Sequence, residues 1–262
     1  MSDRRRPALT LIELLVVIAI IGVLLGLTLA AVHMVRARAA MAGCANNLRQ
    51  IGLALHQYHD VHKAFPPGCR GPGGPQPFMS WMTRLLPHLE QDALWQQSLR
   101  AYEQETFFEK PPHLPILGRI MPQFLCPAEN RTVFEIPSLT VGLTSYQGVS
   151  GRSESVFDGV LYLDSAVRLG DVTDGASLTL AVGERPPSRD GHFGWWYAGQ
   201  GQEESGTADL FLGVRERNHY YPACPSQPNH FVPGTDSDCD AFHYWSRHSG
   251  GAHFLFCDGQ AG

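Results

Sequence analysis

Residues 14–32 run for 19 positions without a charge, and most of the side chains are Leu, Ile, Val or Ala. As a helix at 1.5 Å per residue, such a run matches the roughly 30 Å hydrocarbon core of a bilayer. Everything after it must then fold on one side of a membrane. Arg4, Arg5 and Arg6 precede the run, and a basic flank holds its end in the cytoplasm. The expected topology is a single-pass inner-membrane protein with a cytoplasmic N-terminus and an extracytoplasmic body. One carboxylate, Glu13, stands at the start of the run. A charge within the hydrocarbon costs about 2.5–3.5 kcal/mol on insertion scales, so Glu13 needs a reason. A cleaved secretory signal fits poorly, because its apolar core spans only about 7–15 residues. A plain anchor tolerates Glu13 at headgroup level but gives it no role.

The 262 residues suffice for one good-sized domain with appendages. The net charge is −5 and the only basic cluster is residues 4–6, so a nucleic-acid footprint is not expected. With 27 Gly and 19 Pro the body should be rich in loops. No proline occurs between Arg36 and His62. There Met41, Cys44, Leu48, Ile51, Leu55, Tyr58 and His62 recur at spacings of three and four. That stripe predicts a helix continuing past the membrane, with one face covered by a sheet. Gly43 and Gly52 interrupt it, and the FPPG stretch from Phe65 should end it. A second helical region is expected over residues 80–104, broken near Pro87, with Trp81, Leu85, Leu89 and Leu94 in the core. Strand-like runs follow at residues 132–136, 156–163, 178–182, 192–197 and 252–257. The expected class is α+β: a long N-terminal helix packed on an antiparallel sheet with long loops.

The stretch PALTLIELLVVIAIIGVLLG closely resembles the class III signal of type IV prepilins and type II secretion pseudopilins. The resemblance implies cytoplasmic-side cleavage between Ala8 and Leu9 by a prepilin peptidase, followed by methylation of Leu9. Residues 1–8 would be the leader, 9–35 the membrane helix and 36–262 a pilin-like extracytoplasmic domain. The family usually has Gly before the cut and Phe after it, where this chain has Ala8 and Leu9. By the same resemblance, the Glu13 carboxylate meets the Leu9 ammonium of a neighbouring subunit in a filament. Pairing offsets the desolvation of both charges and penalises a mis-registered neighbour.

A second resemblance covers the body. CANNLRQIGLALHQYHDVHKAFPPG, SWMTRLLPHLEQ, LCPAE, VTDGASLTLAVGER and SRHSGGAHFLFCDG recur in that order in a large family of prepilin-like proteins. That family carries a domain of unknown function and ends in a His, nine residues, Asp-Gly signature, here His248 with Asp258 and Gly259. The family normally continues with a strand beyond Asp-Gly, where this chain stops at Gly262, so the last strand is expected to be missing. Cys44 and Cys126 lie in recurrent family motifs, which implies a pair and leaves Cys69 and Cys257 over.

These resemblances imply a pilin-like or pseudopilin-like structural subunit of a type IV pilus or type II secretion-like system. Its expected partners are the prepilin peptidase/methyltransferase, the membrane and other pilin-like subunits. The alternative is a single-pass anchored ectodomain that binds an extracellular glycan or protein without polymerising. An enzyme is not expected. His248 and Asp258 with Ser246 or Ser249 suggest a Ser-His-Asp set, but no G-x-S-x-G elbow surrounds either serine, and a turn with a hairpin explains the same residues.

Asp236, Asp238 and Asp240 alternate as calcium ligands can, and some pseudopilins hold calcium in a C-terminal loop. A solvated acidic loop is the reading favoured over calcium, so no cofactor is expected. His219, His230, His243 and His248 lack paired spacing, and none of the six cysteines stands in a C-x-x-C pair, so a zinc knuckle is not expected. Trp195, Trp196 and Tyr197 offer either a sugar platform or core, with at least one in the core because neighbours in a strand face opposite sides. Cys224 and Cys239 bracket a proline-rich segment that cannot hold itself by packing. A bridge closing it is expected to contribute roughly 3 kcal/mol on the chain-entropy model.

Overall fold

The computed structural model describes residues 11–153, 156–228 and 230–262. The chain divides into two compact units, residues 1–40 and 41–262. Helix α1 spans Leu11–His62, and residues 11–39 are all exposed. In a helix every backbone bond is satisfied internally, so an apolar surface of this kind suits lipid.

From residue 41 onward α1 is amphipathic. Cys44, Leu48, Ile51, Ala54 and Leu55 are buried, and Tyr58 packs on the core edge. His62 is exposed and stacks on Tyr58. The two glycines of this segment are sites of close approach. A Cβ at Gly52 would lie 2.8 Å from Leu255 Cδ1 and 3.4 Å from Gly259 Cα; one at Gly43 would lie 2.9 Å from Pro127 Cγ. Their helix-propensity cost, about 1 kcal/mol each, is thus exchanged for close packing against the C-terminal hairpin and the LCPAE turn. The helix ends where expected, with Lys63 at φ 62° and the FPPG stretch beyond it.

The second helical region forms in pieces, as Pro87 requires. Helix α2 (Trp81–Arg84) is capped by Ser80, whose Oγ accepts the amides of Met82 and Thr83. A 3-10 turn, Leu86–Leu89, leads to α3 (Asp92–Gln104), which buries Leu94, Ser98, Ala101 and Tyr102. A short α4 (Leu114–Leu117) follows.

Strands β1 (Val133–Ile136) and β2 (Leu139–Gly142) form an antiparallel hairpin. The main sheet has the order β5-β3-β4-β6, with β3 at Tyr146–Gly151, β4 at Leu180–Glu184, β5 at Phe211–Gly213 and β6 at Phe254–Phe256. The α+β class holds, with one correction: the sheet is mixed, because β3 pairs parallel with β5. Residues 156–163 and 192–197 form turns and isolated bridges rather than strands. After β6 the chain turns at Asp258-Gly259 and pairs back: Phe254 exchanges hydrogen bonds with Gly262, and the Phe256 amide donates to Gln260 O. Leu255 and Ala261 form an isolated antiparallel bridge there.

The main core joins α1, α2, α3, β4 and β6 around Trp81, Trp196 and Tyr197. A second cluster gathers Val149, Phe193, Leu212, Phe242 and Tyr244.

Candidate functional site

Glu13 lies in the first turn of α1. Ala8 and Leu9 lie outside the described residues. The remaining sequence-based candidates separate into those the fold brings together and those it keeps apart.

His248 is brought to a buried cluster. Its Nε2 lies 3.1 Å from Cys44 Sγ and 3.3 Å from Cys126 Sγ. The two cysteines form a disulfide with Cα atoms 5.1 Å apart. Glu184, at the end of β4, completes the group: its Oε1 is 3.9 Å from His248 Nε2. One ligand atom from each of Cys44, Cys126, Glu184 and His248 falls within 4.8 Å of the others. Cys44 and Glu184 are 0% and 1% exposed, and the His248 side chain is 3% exposed.

Each member is fixed by the sequence around it. Cys44 belongs to the buried face of α1. Three residues farther on, Asn47 Nδ2 donates to Leu125 O at 2.8 Å and to the Tyr146 hydroxyl, tying the helix to the Cys126 turn and to β3. The β3–β4 register pairs Tyr146 with Glu184. Glu184 Oε2 accepts the His253 amide at 2.9 Å, whereas Oε1 has no hydrogen-bond partner among the described residues. Arg247, next to His248, donates to Glu129 at 2.7 Å, and Arg131 donates to the same carboxylate. Burial raises the Glu129 pKa, but the two arginines outweigh it and hold the carboxyl below its ordinary value. This ion-pair group holds the His248 turn against the turn that carries Cys126. Burial lowers the His248 pKa, favouring neutral imidazole. His248 also forms part of the wall of an apolar groove of about 420 Å³, with Phe231, Val232, Tyr244 and Phe254.

Asp258 and Gly259 close the hairpin, and Asp258 Oδ1 accepts the Gln260 amide. His248 Nε2 faces sulfur, so the histidine and aspartate of the signature are engaged with different partners. The three aspartates of the acidic loop also diverge. Asp236 accepts from Arg247, Asp238 accepts the Asp190 amide, and Asp240 binds His243, Thr235 and Ser237. Cys224 and Cys239 are joined, with Cα atoms 5.4 Å apart. Cys69 and Cys257 are buried free thiols, and burial pushes Cys257 up to about 12. The sugar platform is corrected: Trp195, Trp196 and Tyr197 are all buried, and their polar atoms bond Gly191 O, Arg119 O and His113.

Sequence reasoning missed Glu184 as a member of the cluster. VTDGASLTLAVGER reads as a strand ending in a charge, and nothing local distinguishes Glu184 from an exposed carboxylate.

Residues 3–29, which include Glu13 and the start of the apolar helix, match the prokaryotic N-terminal methylation motif and mark a type IV prepilin-like protein. That motif implies processing by a prepilin peptidase and pilin-like assembly. The chain belongs to the family described as a protein of unknown function (DUF1559), which matches residues 35–262. No curated protein matches the chain. No solved structure matches it either.

Proposed function

We propose that the chain is a processed, membrane-inserted structural subunit of a type IV pilus or type II secretion-like assembly. Residues 1–8 form its leader and residues 36–262 its extracytoplasmic domain. The observation that carries this reading is the methylation motif placed on a helix whose residues 11–39 are exposed throughout. Such a surface must be covered by lipid before assembly and by neighbouring helices after it. Glu13 then sets register by meeting the Leu9 ammonium of the next subunit. The body is a packed head, in which the signature histidine faces sulfur and Asp258 serves the hairpin turn. The non-polymerising ectodomain is the weaker reading, because it gives the methylation motif no role, and its glycan-binding form also loses the aromatic triplet to the core.

N-terminal mass spectrometry of membrane-extracted protein tests the proposal. The expected result is a methylated N-terminus at Leu9. An intact start at Met1 or Ser2, or a start beyond Ala30, overturns it.

A further inference from the structure

We propose that Cys44, Cys126, His248 and Glu184 form a zinc site when the two cysteines are reduced, so that the disulfide and the metal are alternative cross-links at one place. The inference stands on the donor set, its geometry and one buried carboxylate oxygen without a partner.

A disulfide between α1 and the Cys126 turn needs neither an imidazole nor a carboxylate beside it. Yet Glu184 is 1% exposed and its Oε1 has no hydrogen-bond partner among the described residues. That oxygen is 3.9 Å from His248 Nε2, too far for a hydrogen bond. A buried carboxylate oxygen without a partner is costly. The His248 nitrogen is in turn faced by two sulfurs, which are weak hydrogen-bonding groups. A cation among the four atoms would satisfy all of them at once.

The geometry fits a tetrahedron. With Zn–S near 2.3 Å and Zn–N or Zn–O near 2.1 Å, its edges measure about 3.4–3.8 Å. The His248 edges, 3.1 and 3.3 Å to sulfur and 3.9 Å to oxygen, each need adjustment by no more than about half an ångström. The two sulfurs must separate after reduction, and the Glu184 oxygen, within 4.8 Å of both sulfurs, must close on them by up to about 1.2 Å. Two thiolates, one imidazole and one carboxylate select a borderline-soft tetrahedral ion over calcium, which prefers an all-oxygen shell. Outer partners are in place as well. The His253 amide orients Glu184, and the Glu129 ion pair with Arg247 orients the His248 turn.

The interconversion balances. A dithiol reductant gives two electrons and two protons to the Cys44–Cys126 bond and itself becomes a disulfide. Zn2+ then displaces the two thiol protons as both sulfurs bind. Either state ties α1 to the Cys126 turn. Only the metal state also ties in β4 and the signature histidine.

The test uses the full chain in detergent, reduced with a phosphine, with Cys44 and Cys126 shown to be free by alkylation mapping. Co2+ should give thiolate charge-transfer absorption and tetrahedral d–d bands at one equivalent, and Zn2+ should displace it. Glu184→Gln and His248→Ala should each weaken Zn2+ binding at least about tenfold, a loss that even outer-partner substitutions produce. Glu184→Gln is isosteric, and its fold is checked by circular dichroism in the oxidised state. In thermal melts of the reduced proteins, Zn2+ should raise the transition of wild type more than that of Glu184→Gln. Absence of the cobalt bands in reduced wild type overturns the proposal. So do equal zinc affinities in wild type and both variants, or equal zinc-induced shifts in wild type and Glu184→Gln.

Discussion

One helix, α1, lives under two sets of rules. Over residues 11–39 it is exposed on every side, and its uncharged stretch, residues 14–32, is almost wholly apolar. From Cys44 to Leu55 it buries a single face against the body. Both segments are helical, so helix formation does not separate them. They differ in what covers the side chains. Lipid accepts any apolar side chain at any angle, whereas a packed core demands particular volumes at particular positions. The same substitution should therefore have different consequences on the two sides of residue 40.

The largest effect is expected from Leu48→Ala. Leu48 is fully buried, and truncating such a side chain leaves a cavity that costs about 3–5 kcal/mol. Leu24 is 56% exposed, and Leu24→Ala should leave the melting of the body unchanged. Thermal unfolding of the detergent-extracted proteins compares them directly. Equal shifts would break the distinction between the two halves.

A smaller effect is expected from acid, and only in the body. Burial raises the Asp240 pKa, but the His243 ring and the Ser237 and Thr235 amides outweigh it and bring the carboxyl down to about 2. A folded-state pKa below the unfolded one gives stability that is complete above the ordinary carboxyl pKa. That stability disappears as pH falls through the folded value. The contribution is about 2 kcal/mol. Melts of wild type between pH 5 and pH 2 should fall more steeply than those of Asp240→Asn. Parallel curves would show that Asp240 makes no such contribution.

The smallest effect on stability is expected from Glu13→Ala. It should leave the body's melting unchanged and leave membrane insertion intact or improved, since it removes a charge costing about 2.5–3.5 kcal/mol. Assembly should fall, read as the yield of sheared surface filaments. Filament yield equal to wild type would refute the register role of Glu13.

How legible these regions were follows the same divide. The membrane run, the stripe from Cys44 to Tyr58, the stop before FPPG and the break at Pro87 are periodic or punctuated signals within one or two helical turns. The hidden strands lack such signals. In β3 every residue from Tyr146 to Ser150 is buried, including Gln147, whose Nε2 bonds Asp209 O, so the alternation that marks a half-exposed strand is absent. In β5 only three residues pair. Residues 156–163 and 192–197 have strand-like composition, yet Val160, Leu161, Phe193 and the aromatic triplet enter the core from turns, while Val156 and Phe157 stay exposed. Trp195, Trp196 and Tyr197 could all be buried because they do not lie in a regular strand, where alternate residues face opposite sides.

The sequence by itself determined the long helix with its exposed apolar run, the N-terminal motif and the α+β composition of the body. Each depends on residues close together in the chain. Only the tertiary structure decided that the signature histidine meets two cysteines and a glutamate. His248 is 204 residues from Cys44 and 122 from Cys126, and Cys44 and Cys126 are 82 apart. No local spacing encodes a meeting over such distances. It results from the Tyr146–Glu184 register, from the close approach that Gly43 and Gly52 permit, and from the Glu129–Arg247 ion pair. Packing brings those elements together only when the whole body has folded.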